Sequence, residues 1–167
     1  MQAMSYVART DRPADKAARY AEVQQEILAV LEGEPSRIAR MATVASMLAD
    51  AFDVYFWTGF YLVAEDRAEE LVVGPYQGTL GCLRIPFGRG VCGAAARTGQ
   101  TQVVQDVHAF PGHIACDSRS RSEIVVPVRD ASGALIAVFD VDATEPAAFD
   151  AVDAQALEAL IHQVFAA

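Results

Sequence analysis

Glu123-Ile124-Val125-Val126-Pro127-Val128-Arg129-Asp130-Ala131-Ser132-Gly133-Ala134-Leu135-Ile136-Ala137-Val138-Phe139-Asp140-Val141-Asp142 is two apolar, β-branched runs separated by a polar turn. The runs read as sheet strands over residues 123–129 and 134–141. The link at 129–133 has hairpin-turn chemistry, so the two strands are antiparallel neighbours. Side chains alternate along a strand, which puts Asp140 and Asp142 on one face at a strand end. Closing the hairpin brings Glu123, at the start of the other strand, toward both of them. Like charges held close raise at least one pKa, and a bound ammonium group neutralises the remainder, which describes a site for an amino acid. The plainer alternative is that Asp140 and Asp142 begin a solvated turn.

Outward from this hairpin, further aromatic and β-branched runs at 55–63, 71–76 and 102–107 predict three more strands. Residues 78–99, rich in Gly, predict a loop followed by a short helix. Before the strands, Tyr20, Val23, Ile27, Val30 and Leu31 recur at helical spacing from Asp15, and Gly33 with Pro35 ends the pattern. After Ser36, the set Ile38, Met41, Ala45, Leu48 and Phe52 predicts a second helix. Asp150, with Asp153 three positions on, can start a last helix whose apolar face is Ala156, Leu157, Leu160, Ile161 and Val164. The expected class is α+β, a central antiparallel sheet flanked by N-terminal and C-terminal helices. One domain spans 14–167, and residues 1–13 are an expected loose tail.

Hydrophobic residues make up 53% and charged residues 21% of the 167, values of a chain that folds around a core of its own. No run approaches the roughly 20 apolar residues of a membrane span, and the first residues lack a secretory signal, so a cytoplasmic location is expected. The net charge of -9 disfavours nucleic acid and anionic lipid as partners.

Cys82, Cys92 and Cys116 are an odd set in a chain of this kind, which makes a permanent disulfide framework unexpected and thiol chemistry a live reading beside plain core packing. Cys116 lies in a loop with His113, Arg119 and Arg121, whose positive charge would stabilise a thiolate, so it is the nucleophile candidate; a solvent-facing turn with the thiol tucked inward is the alternative. The cysteines form no C-x-x-C pair, and no metal site is expected. Trp57 and Tyr61 share a strand face with Gly59 between them. That arrangement leaves two aromatic walls and a gap for an apolar group, or a stripe of core.

These pieces, in this order, resemble the free methionine-(R)-sulfoxide reductase family, a stand-alone form of the GAF domain. The resemblance rests on Trp57-Thr58-Gly59-Phe60-Tyr61-Leu62, Gly74-Pro75-Tyr76-Gln77-Gly78, Cys82 before Leu83-Arg84-Ile85, Gly88-Arg89-Gly90-Val91-Cys92-Gly93, His113-Ile114-Ala115-Cys116-Asp117-Ser118, Ser122-Glu123-Ile124-Val125-Val126-Pro127 and Asp140-Val141-Asp142, across roughly 15–165. It implies a catalytic Cys116, a main resolving Cys82 and an alternative resolving Cys92. It implies that Glu123, Asp140 and Asp142 hold the substrate ammonium and supply the proton; Glu123, at the start of a buried strand beside two carboxylates, is the expected donor, and Asp142 is the alternative. Trp57 and Tyr61 would hold the methyl sulfoxide end, and backbone amides at Ile114 and Ala115 the carboxylate. Thioredoxin is the implied reductant, and no cofactor or metal is required. A homodimer is left open. Two other readings stay in play: a non-catalytic GAF sensor of a small ligand, and a thiol redox switch, which needs the cysteines but not the acids.

Overall fold

Strand alternation sorts the molecule into two faces. The computed structural model describes residue 7 and residues 9–167. Strands β1 (Trp57–Val63), β2 (Glu70–Gln77), β3 (Arg84–Pro86), β4 (Gln102–Val104), β5 (Ser122–Arg129) and β6 (Leu135–Ala143) form one sheet in the order β3-β2-β1-β6-β5-β4. Every neighbouring pair is antiparallel. Among the described residues, four helices cover it: α1 (Lys16–Val30), α2 (Arg37–Ala51), α3 (Gly90–Thr98) and α4 (Ala151–Phe165). This is the α+β architecture expected from the sequence.

Odd and even positions of the same strands go to different cores. Phe60, Ile124, Val126, Phe139 and Val141 pack with Val23, Ile27, Met41, Leu48 and Leu157 under α1, α2 and α4. The residues between them, Tyr61, Val125 and Val138, pack with Val91, Cys92 and Ala95 of α3 on the opposite face. Phe60 and Phe139 are both 0% exposed with ring centroids 4.9 Å apart, and burial of each such side chain contributes about 1.5–3 kcal/mol.

The helix starts are set by the expected residues. Asp15 accepts from the Ala18 amide at 2.9 Å, and Ser36 accepts from Ala39 at 3.2 Å. Asp150 and Asp153 make a reciprocal capping box at the start of α4. Asp153 has a second role, since it is 2% exposed and takes hydrogen bonds from Lys16 Nζ at 2.7 Å and Tyr20 Oη at 2.6 Å. The Tyr20 hydroxyl also bonds that of Tyr55, so one polar network ties α1 and α4 to the segment leading into β1.

Several local expectations change. Val30 and Ile38, 42% and 52% exposed, lie at the last and first turns of their helices and leave the apolar face. Tyr55 precedes β1 and joins an aromatic cluster with Phe52 and Phe149. The run 102–107 yields only the three residues of β4 before Asp106 caps a single 3-10 turn, Val107–Ala109. Within the expected loop, Arg84–Pro86 pairs with β2 as an edge strand, through Leu71↔Ile85. Of the expected tail at 1–13, residues 1–6 and 8 lie outside the described residues, while Arg12 pairs with Glu22 and Glu26 of α1 at 3.1 Å each. Among the described residues, no helix is long and apolar enough to cross a membrane.

Candidate active site

The β5–β6 register places Glu123 opposite Asp142 and Val125 opposite Asp140. On the other side of β6, Trp57 faces Asp142 and Gly59 faces Asp140. The three acids and Trp57 therefore share the α3 face of the sheet and line one cavity, together with Tyr61, Cys92, Ile114, Cys116 and Ser120. The carboxylates are not in a solvated turn: Glu123 is 6% and Asp140 4% exposed.

Burial is the leading influence on all three acids, and repulsion from neighbouring acids adds to it at Glu123 and Asp142. Glu123 is pushed well above the ordinary glutamate range, first by burial and then by Asp140 and Asp142. Burial raises Asp140 to about 6. Asp142 is also held well above its ordinary range, by burial and Asp140, with Ser120 pulling the other way. Without a cation beside it, the cluster holds protons that exposed carboxyls would lose.

Cys92 enters from α3, its Sγ 3.9 Å from Glu123 Oε1. Burial and the three neighbouring acids raise its thiol pKa, so it is a protonated core thiol at neutral pH. Glycines let α3 begin this close to the sheet. Gly90 has φ +63°, and a Cβ at Gly93 would press 2.5 Å from the Pro86 carbonyl oxygen.

Cys82 and Cys116 are disulfide-bonded, with Cα atoms 5.4 Å apart, between the loop that follows β2 and the loop that precedes β5. Cys116 is exposed, Cys82 half-buried. The same two loops are tied by Thr79 Oγ1 donating to Asp117 at 2.8 Å, and Trp57 Nε1 donates to the Thr79 carbonyl at 2.9 Å. The disulfide thus sits at the cavity wall, held from both sides.

Of the basic residues expected to support a Cys116 thiolate, Arg119 is otherwise occupied. Arg119 forms a two-pronged pair with Asp117, at 3.0 and 2.8 Å, and lies over the Phe56 ring. His113 is half-buried and its pKa is lowered by that burial, while Arg121 is exposed. The aromatic reading changes as well. Trp57 stacks on Tyr61 at 5.5 Å and on Tyr76 at 5.0 Å, and Tyr76 fills the space over Gly59, so the expected gap is closed. Ile114 lines the cavity but Ala115 is exposed and does not. Leu80, Ile85 and Ser120 also line it; each comes from a loop or short edge strand with no periodic signal.

Comparison with known proteins agrees with this geometry. A GAF domain family model matches residues 39–167. The free methionine-R-sulfoxide reductase of Escherichia coli is 41% identical over 90% of this chain and 88% of its own length. That of Saccharomyces cerevisiae is 40% identical, covering 77% of this chain and 74% of its own. The X-ray structure of the free methionine-R-sulfoxide reductase of Neisseria meningitidis, in complex with its substrate, superposes with a TM-score of 0.87 at 48% identity, covering 95% of this chain and 93% of that one. A sheet with α3 on one face, a cysteine pair beside buried acids, and this degree of identity lead to one assignment: the chain belongs to the GAF domain family and, within it, to the free methionine-R-sulfoxide reductases.

Proposed function

We propose that the protein reduces free methionine-(R)-sulfoxide to methionine in the cytoplasm, with thioredoxin as the final reductant. The observation that carries this reading is the Cys82–Cys116 pair, whose Cys116 lines a cavity that also contains Glu123 and Asp140, both buried, and the half-buried Asp142. In the reduced protein the Cys116 thiolate attacks the electrophilic sulfoxide sulfur. Glu123, whose burial keeps it protonated, gives a proton to the departing oxygen. The protonated oxygen passes to the Cys116 sulfur as its bond to the methionine sulfur and the transient bond between the two sulfurs break, so methionine leaves and Cys116 carries the oxygen as a sulfenic acid. The Cys82 thiol then displaces that oxygen as water and forms the Cys82–Cys116 disulfide. Thioredoxin's dithiol reduces the disulfide by thiol exchange, taking up its oxidation.

Selection for the free amino acid comes from charge. An ammonium group entering the cavity gives Asp140 and Asp142 the positive neighbour they lack, and they ionise as it binds. A residue inside a polypeptide has no such group and leaves two acids buried without compensation. The Trp57–Tyr61 stack offers an aromatic surface for the methyl sulfoxide end, and the backbone at Ile114 is the candidate partner of the carboxylate. A redox switch accounts for the cysteine pair alone and leaves the acids without a task.

The test is turnover of each methionine sulfoxide epimer, free and peptide-bound, with dithiothreitol or thioredoxin. Turnover confined to the free R epimer is expected. No turnover of that epimer, or equal turnover of its peptide-bound form, overturns the proposal.

A further inference from the structure

Cys92, Glu123 and Asp140 are brought together from α3, β5 and β6, and one donor atom of each lies within 4.8 Å of the other two. All three side chains are buried. Asp140 adds a second, independent observation: it is 4% exposed and lines the cavity, yet its Oδ1 has no hydrogen-bond partner among the described residues. A buried carboxylate oxygen left without a donor is costly unless something positive meets it.

A thiol with two carboxylates is a soft and hard donor set of the kind that takes Zn2+ in preference to Mg2+ or Ca2+. Zinc bonds of about 2.3 Å to sulfur and about 2.1 Å to oxygen hold tetrahedral donors about 3.5 Å apart. The Cys92 Sγ to Glu123 Oε1 separation is 3.9 Å, close to that spacing before any adjustment. Three protein donors leave a fourth position, which would face the cavity.

We propose that Cys92, Glu123 and Asp140 form a zinc site, and that an ion held there excludes the amino-acid substrate. Coordination releases the Cys92 thiol proton and the Glu123 carboxyl proton to solvent and occupies the two carboxylates. The ammonium group can no longer use Asp140, and Glu123 has no proton to give. The inhibitory consequence rests on the function proposed above; the binding of the ion does not. The three donors lie far apart in sequence on different elements, so no ligand spacing announces them.

The oxidised protein gives a clean test, because Cys82 and Cys116 are bonded and Cys92 is the one free thiol. Zinc chloride is titrated into it against a chromophoric chelator, with cobalt chloride as a spectroscopic probe. One ion per chain and a cobalt–thiolate charge-transfer band are expected. Cys92→Ala should weaken zinc binding by about tenfold or more and remove the band, and Asp140→Asn should weaken binding by a similar factor. Circular dichroism checks that each variant folds, and Asp140→Asn carries the test if Cys92→Ala does not. No bound ion, or undiminished binding in a folded variant, overturns the site. Free methionine-(R)-sulfoxide should compete with zinc in the wild type, and zinc affinity unchanged by saturating substrate overturns the shared location. A protein that binds zinc through Cys92 yet turns over no sulfoxide leaves the site standing and sinks only the functional proposal.

Discussion

At the scale of single residues, the three cysteines divide by environment. Cys116 is exposed at the cavity wall, Cys82 is its partner, and Cys92 is a buried thiol kept protonated by burial and by the acids beside it. Cys116→Ser is therefore expected to abolish turnover with the fold intact, since a hydroxyl is not an ionised nucleophile at neutral pH; activity near that of the wild type in a steady-state assay contradicts the role. Cys82→Ser should release about one methionine per chain without reductant and then stall with thioredoxin, because the first step needs only the nucleophile. Full thioredoxin-coupled turnover in that variant assigns resolution to Cys92. Among the acids, Glu123→Gln should lower kcat, while Asp140→Asn should raise KM more than it changes kcat. Both constants within about twofold of wild type in both variants contradict the division of roles.

The same acids predict a pH dependence. Asp140 rises from 3.8 to about 6 in the folded protein, so between those values the native state binds more protons than the unfolded chain. Stability contributed by this group is present at low pH and lost as pH climbs through about 6, with Glu123 and Asp142 extending the loss upward. In thermal melts of ligand-free protein, Asp140→Asn should flatten the fall in Tm from pH 4 to pH 8. An unchanged slope contradicts the assignment.

At the scale of elements, much of the site was legible because it rests on strand alternation. The β5–β6 hairpin, its turn and the convergence of Glu123, Asp140 and Asp142 follow from a period of two and one turn sequence. What sequence reasoning missed depends on approach between segments far apart in the chain. The filling of the Gly59 gap by Tyr76 comes from β1–β2 register, and the diversion of Arg119 to Asp117 comes from a loop. The three-residue strand β3, set within a Gly-rich stretch, carries too little pattern to be read. The glycines of α3 belong to the Gly88–Gly93 motif, and packing gives their reason: Gly93 faces the backbone of Pro86. Gly93→Ala should push α3 from the sheet and cost about 1–3 kcal/mol in denaturant unfolding. An effect near zero means α3 has room that this packing denies it.

At the scale of the whole molecule, the two faces of the sheet do different work. One buries an apolar core under α1, α2 and α4, tied together by Lys16, Asp153, Tyr20 and Tyr55. The other carries the acids, Cys92 and the cavity beneath α3 and the disulfide-linked loops. Stability and chemistry should then separate: Asp153→Ala removes the buried carboxylate that Lys16 and Tyr20 share, together with half of the α4 capping box, and is expected to cost about 2–4 kcal/mol. Its kcat and KM below the melting range should stay within about twofold of wild type. The central claim, that Cys116 and Cys82 act in turn on a free amino acid held by buried acids, is tested most directly by one single-turnover measurement. Fully reduced protein is mixed with excess free methionine-(R)-sulfoxide and no reductant, and released methionine is counted while the disulfide is mapped by peptide mass analysis. One methionine per chain accompanied by a Cys82–Cys116 bond is the predicted result. No methionine, or methionine released with Cys82 and Cys116 both still reduced, contradicts it.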